Sequence, residues 1–104
     1  METKKSLGKR LRDLRKARGQ PLRVVAAAIE VDSSLLSKIE HGERLPTKQQ
    51  LEKLAKYFDV PLEELIAQAI AEKIVTSYAS NTTTLHALKI AEARINSYLG
   101  DRNE

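Results

Sequence analysis

In VVAAAIEVDSSLLSKIEHG, residues 24–42, two short helical patterns meet across a turn. With Leu22 ahead of it, the first half sets Val25, Ala26 and Ile29 on one apolar stripe. Glu30-Val31 interrupts the pattern, and Asp32 is a good N-cap for a further helix ending at Gly42. At about 100° per residue, Ser34, Ser37, Lys38 and His41 project from one side of that helix, with Ser33 at its N-terminal edge. Leu36 and Ile39 point the opposite way, flanked by Leu35. Serine is an indifferent helix former, so three of them are an odd choice for a face that needs only solvating. Glu40 falls at the border of the apolar side, where an unpaired carboxylate is expensive. A cation should reach it from the core. Ala26 is small enough to let the second helix of the pair cross close above the first.

Outward from this pair, the pattern stays helical. Leu7, Leu11 and Leu14 recur at helical spacing before Gly19 stops them, and Pro21 suits the first position of the next helix. After Gly42, GERLPT is a connector, and Thr47 with Gln50 forms a capping box for a fourth helix with Leu51, Leu54, Ala55 and Phe58 inward. Pro61 opens a fifth, with Leu62, Leu65, Ile66, Ala69, Ile70 and Ile74 inward. Ser80 to Thr84 form a polar loop, and Thr84 can cap a sixth helix reaching Leu99, with Gly100 after it. No strand-like alternation of useful length and no internal repeat interrupts the series. The fold class is all-α: a domain over residues 1–70, and an extension over 71–104 made of the end of helix five plus helix six. On helix six Leu85, Leu88, Ala91, Ile95 and Leu99 make a narrow stripe, of the width that pairs with another helix. It can fold back on its own domain or meet a second copy; a two-fold contact is preferred, because closed dimers are the commonest oligomers.

Composition narrows the function. The chain has 104 residues, a net charge of +4 and a pI near 9.5, and residues 1–23 alone carry +7. An anionic partner is favoured, nucleic acid or membrane surface. Helix one keeps its leucines for the core and lacks the bulky apolar outer face that a membrane-surface helix needs, and VVAAAI falls far short of the ~20 residues of a span. METKKSLGKR lacks the apolar segment of a secretory signal. The expected location is the cytoplasm, on the nucleoid. There is no cysteine, and the two histidines, His41 and His86, stand too far apart for a local metal-ligand pattern. The helical serines offer no nucleophile on a sharp turn, and Glu63-Glu64 after Pro61 suit a helix N-terminus better than acid–base chemistry. No enzyme, cofactor or metal is expected.

The two-helix unit is a helix-turn-helix candidate. Taken whole, LGKRLRDLR…G followed by VVAAAIEVDSSLLSKIEHGERLPTKQQLEKLAKYFDVP resembles the Cro and phage-repressor (XRE-like) helix-turn-helix family in pattern, order and spacing, over residues 7 to about 66. That resemblance implies a five-helix repressor-like domain in which Arg15 pairs with Glu40. It implies base reading from helix three, by Ser33, Ser34 and Lys38 with Ser37 within reach, and phosphate contacts from His41, Arg44 and Lys48. Arg23, one turn into helix two, is a phosphate candidate by geometry alone. Two departures stand out. The family commonly has glutamine where Leu22 stands, and glycine in the turn where Glu30 stands; a left-handed backbone at Glu30 carries a steric cost.

The implied function is a small homodimeric transcriptional regulator on double-stranded DNA with a near-palindromic operator. A repressor is the simplest form, autoregulated or like a restriction–modification controller. The rival is an antitoxin or adaptor whose C-terminal helices cover a protein partner.

Overall fold

Helix starts are set by side chains that catch otherwise unpaired backbone amides. The computed structural model describes residues 5–102, and over these it runs α1 (Leu7–Ala17), α2 (Leu22–Ala28), α3 (Ser33–Glu40), α4 (Lys48–Phe58), α5 (Leu62–Tyr78) and α6 (Thr84–Arg102), with no strand among the described residues. Ser6 Oγ accepts from the Lys9 amide at 3.1 Å, and Asp32 Oδ1 from the Leu35 amide at 2.7 Å. At α4 the capping box is complete: the Gln50 amide donates to Thr47 Oγ1 at 3.1 Å and the Thr47 amide to Gln50 Oε1 at 2.9 Å. Pro21 is the N-cap of α2 rather than its first helical residue, because its backbone is extended there (ψ 162°).

The turn between α2 and α3 is left-handed at Glu30 (φ 61°), the position at which the family commonly places glycine. The amides of Glu30 and Val31 donate back to Ala27 and Ala26 carbonyls at 3.1 and 3.0 Å, which closes the end of α2. The Glu30 carboxylate takes Lys53 of α4 at 2.9 Å, and that lysine's hydrogen bond, then its charge, holds the carboxyl below its usual range.

The chain divides after Lys73 into two units. In the first, Leu7, Leu11, Val25, Ile29, Leu36, Ile39, Leu54, Phe58 and Leu65 come from all five helices to one buried core. Ala26 is buried under α3 with them. Arg10 ties α1 to α5, donating to Gln68 Oε1 at 2.8 Å and Glu64 Oε2 at 3.1 Å. Gly8 sits against the last turn of α3 so tightly that a Cβ would collide with the carbonyl oxygens of Ile39 and Glu40. A glycine inside a helix is explained by that approach.

Three further expectations need correction. α3 stops at Glu40, with His41 as C-cap and Gly42 left-handed (φ 78°), so the helix is shorter than a run to Gly42. Ile70 is 56% exposed rather than inward, and Ile74 is half-buried within the second unit. α6 continues through Gly100 to Arg102, since one glycine costs a helix only about 1 kcal/mol.

In the second unit, Thr84 Oγ1 donates to the Tyr78 carbonyl at 2.9 Å and Asn81 Oδ1 accepts from the Thr83 amide at 3.0 Å, closing the turn into α6. Every side chain from Leu85 to Asp101 is exposed. No described helix is long and apolar enough to cross a membrane.

Gly8 gives a test of sign. On helix propensity alone, Gly8→Ala should stabilise by about 1 kcal/mol. The collision with α3 should make it destabilise instead, by about 1–3 kcal/mol, as overpacking does. Urea denaturation of the two proteins distinguishes the outcomes.

Candidate nucleic-acid interface

α3 stands on an ion pair. Arg15 Nε donates to Glu40 Oε2 at 2.8 Å and Arg15 Nη2 to Glu40 Oε1 at 3.0 Å, a two-pronged contact. The side chains are 11% and 3% exposed, so neither charge has water as an alternative partner. Hydrogen bonding to Glu40 raises the Arg15 pKa above its already high value, burial opposing. The third guanidinium nitrogen, Nη1, donates to the Gln20 carbonyl at 2.9 Å, and Gln20 Oε1 accepts from the Tyr57 hydroxyl at 2.6 Å. Arg18 lies 5.3 Å from the ring centres of both Tyr57 and Phe58. One polar chain therefore runs from α4 through the α1–α2 turn and α1 to the end of α3. Of this chain, sequence reasoning finds Arg15 and Glu40. It misses Gln20, whose carbonyl takes Arg15 and whose side chain takes Tyr57 in contacts that no local spacing announces, and it misses Tyr57 and Arg18.

On the outward side, Ser34 and Lys38 are exposed, and Ser33 and Ser37 half-buried. Ser34 Oγ donates to Asp32 Oδ1 at 2.8 Å. The Asp32 carboxyl lies below its ordinary range, held there first by the Leu35 amide and then by the Ser34 hydroxyl. With its proton so engaged, Ser34 offers lone pairs outward: it is an acceptor. His41 Nδ1 lies 2.7 Å from the Ser37 carbonyl oxygen and 3.4 Å from Ser37 Oγ.

Arg44 and Lys48 are exposed on the connector and the start of α4, beside Glu43, and Arg23 is exposed on the first turn of α2. Among the described residues, none of Arg23, Lys38, Arg44 and Lys48 has a salt bridge. Some cations elsewhere do: Lys5 and Lys9 share Asp13, Arg10 takes Glu64, and Lys53 takes Glu30, while Arg12, Lys16 and Lys56 are exposed without one. The serines and Lys38 thus share α3, and His41, Arg44 and Lys48 follow it in the chain. Leu85, Leu88, Ala91, Ile95 and Leu99 belong to the second unit, all exposed.

Residues 6–68 of the chain, which include the α2–turn–α3 unit, match the helix-turn-helix domain family. The chain belongs to that family. Over 63 residues it is 40% identical to an uncharacterized HTH-type transcriptional regulator, RghRB, of Bacillus subtilis (strain 168). That match covers 60% of this chain and 45% of the relative, so the chain spans under half of that protein's length. Among solved structures it is similar to the clp gene regulator ClgR from Corynebacterium glutamicum, with a TM-score of 0.54 and 23% identity over 88% of this chain and 87% of that one. That likeness is one of fold.

Removing one partner of the ion pair should cost far more than removing both. Arg15→Ala should lower stability by about 3–5 kcal/mol, because Glu40 is left buried without a counter-charge. Arg15→Met combined with Glu40→Met should recover most of that loss. Urea denaturation of both variants checks it; a single mutant as stable as the parent contradicts the pair's role.

Proposed function

We propose that the chain is a DNA-binding transcriptional regulator that places α3 in the major groove. The observation that carries the reading is the outward side of α3 and its surroundings: hydroxyls and an ammonium on the helix, flanked by cations without internal partners. Lys38 has three donors to offer guanine O6 and N7. Ser34, as an acceptor, suits the amino groups of cytosine or adenine, and Ser33 and Ser37 lie at the edges of the same face. Arg23, His41, Arg44 and Lys48 supply the phosphate contacts, each steepening the salt dependence by about 0.9 on the logarithmic scale.

A homodimer through α6 accounts for the exposed Leu85, Leu88, Ala91, Ile95 and Leu99. Two copies of α3 then address half-sites of a near-palindromic operator roughly 34 Å apart, one helical turn. Repression by occupying the operator is the simplest outcome, and control of its own gene extends it. The setting is the cytoplasm, at the nucleoid. The same exposed stripe also favours a second reading, an antitoxin or adaptor that covers a protein partner with its C-terminal helices. A monomer at micromolar concentration that associates only with another protein supports that second reading over the first.

Lys38→Ala should relax base preference at one position per half-site, at a cost of about 1–3 kcal/mol for the preferred sequence. Selection of bound DNA from a random pool, with the parent and the variant side by side, reads this directly. A uniform loss over all sequences instead makes Lys38 a phosphate contact. Leu88→Asp with Ile95→Asp should leave the domain folded but monomeric in sedimentation. A surviving dimer moves the contact elsewhere.

A further inference from the structure

The second unit has no interior of its own. Among its described residues from Ile74 to Asp101 none is buried, and only Ile74 and Thr84 are half-buried. Isolated helices are marginal in water, and helices in proteins hold their shape chiefly by packing an apolar face. Yet of the ten large apolar side chains exposed among the described residues, eight lie in this unit, Val75 and Tyr78 on α5 and the rest on α6.

The end of α5 and the start of α6 lie side by side: Ile74 and Tyr78 share a groove of about 340 Å³ with Thr84, Ala87, Leu88 and Ala91. That contact uses one edge of α6. At about 100° per residue, the apolar arc of α6 runs from Ala87 through Ala91, Ile95 and Leu88 to Leu85, roughly 160° wide, with Glu92 near its Leu85 edge. A two-stranded seam needs only a narrow stripe, whereas an arc this wide suits a helix with more than one neighbour. On α5, Val75 lies about 100° round from Ile74 and extends the exposed apolar surface beyond the groove. Ile90 stands apart, on the opposite side of α6 with His86, Arg94 and Ser97.

We propose that the second unit is half of a four-helix core: the end of α5 and α6 pack against the same two segments of a second copy, and α6 keeps its helix only in that assembly. This rests on the homodimer reading above and deepens it, since there α6 alone made the contact. Leaving out Ile90, the exposed parts of these side chains come to on the order of 700 Å² per copy, taking about 150–250 Å² for a large side chain. A single exposed patch on a monomer is typically about 300–600 Å², and each partner in a standard-sized interface gives about 800 Å². α6 carries both signs, Lys89 and Arg94 beside Glu92 and Asp101, so no strong charge on it calls for a partner of opposite sign. A second copy meets the apolar surface with its equal. Helices joined by short loops are the ordinary parts of a four-helix bundle. Association and the ordering of α6 are then one event, and dilution that separates the copies also melts the helix.

The test combines sedimentation with far-ultraviolet circular dichroism over a dilution series of the full chain. It compares the parent, Val75→Asp, Ile90→Asp and the double variant Leu88→Asp with Ile95→Asp. In the parent, dissociation and loss of helical signal should share one midpoint, the loss reaching up to that of the 19 residues of α6. Val75→Asp puts two carboxylates into the apolar core and should raise the dissociation constant about a hundredfold or more. Ile90→Asp makes the same chemical change on the outer side and should stay within about threefold of the parent. A Val75→Asp protein that dimerises like the parent overturns the four-helix core; with the double variant monomeric, it leaves the α6 dimer standing. A monomeric double variant that keeps the parent's full helical signal overturns it too. A parent that stays monomeric at micromolar concentration overturns both this inference and the homodimer reading. If Val75→Asp does not fold, the parent's dilution series decides alone: helix lost with the dimer supports the inference, and helix kept in the monomer overturns it.

Discussion

Glu40 ends the helix that faces outward, yet its carboxylate is almost wholly out of water, and only the two-pronged contact from Arg15 makes that position tolerable. A buried ion pair of this kind is a weak source of net stability, because desolvation offsets most of the attraction. Its value lies in geometry. The planar guanidinium fixes the carboxylate in both distance and direction, so α3 has one rotation about its own axis at which both hydrogen bonds close. The Gln20 carbonyl and the Tyr57 hydroxyl then fix the arginine in turn. Gly8 sets the remaining freedom from the other side, by letting α1 rest directly on the last carbonyls of α3. Whatever α3 presents to solvent is presented at an angle set from beneath.

That constraint explains how the charge of the chain is distributed. Basic residues crowd the first quarter of the sequence, which suggests at first sight a basic α1 as the contact surface. The structure assigns several of them elsewhere. Lys5 and Lys9 share one aspartate, Arg10 reaches α5, and Arg15 goes beneath α3. Arg23, Lys38, Arg44 and Lys48 have no salt bridge and lie on α2, α3, the connector and the start of α4; Arg12, Lys16 and Arg18, on α1 or just after it, are also exposed without one. Net charge counts both groups alike, and only the fold separates internal cations from those that face outward.

Much of the fold was legible because it rests on local signals. The caps at Asp32 and Thr47 and the apolar spacing of α1 to α4 all depend on residues within a few positions of one another. Arg15 and Glu40 were legible for a different reason. A carboxylate on an apolar border demands a partner, and the family pattern named it. The reading of Ile70 as inward failed because helical periodicity says which residues share a face, but not where a neighbouring helix stops covering that face. The run of α6 through Gly100 was missed because a glycine's helical cost is small compared with what the residues around it contribute. In the candidate site, the residue types on α3 could be placed by angle alone. The direction of the Ser34 proton could not, because it depends on which acceptor lies within about 3 Å.

As the base reader proposed above, an eight-residue α3 with one lysine and three small hydroxyl side chains is modest by itself. A good two-pronged base contact discriminates by about 1–3 kcal/mol, and serines bind less selectively than the arginine or glutamine side chains that form such contacts. Phosphate contacts add affinity without sequence information. A single copy therefore falls short of the discrimination that a specific site needs against a genome of competing sites. Two copies held at a fixed separation add their discrimination energies and make the second binding event effectively intramolecular. In the proposed homodimer α6 is the element that does this. Its apolar side chains are exposed along its whole length, and helices in proteins owe most of their stability to packing of such a face rather than to intrinsic propensity. In the proposed homodimer the sparse chemistry of α3 and the exposed apolar face of α6 are two halves of one argument: the first gains from a second copy, and the second offers a surface to hold it.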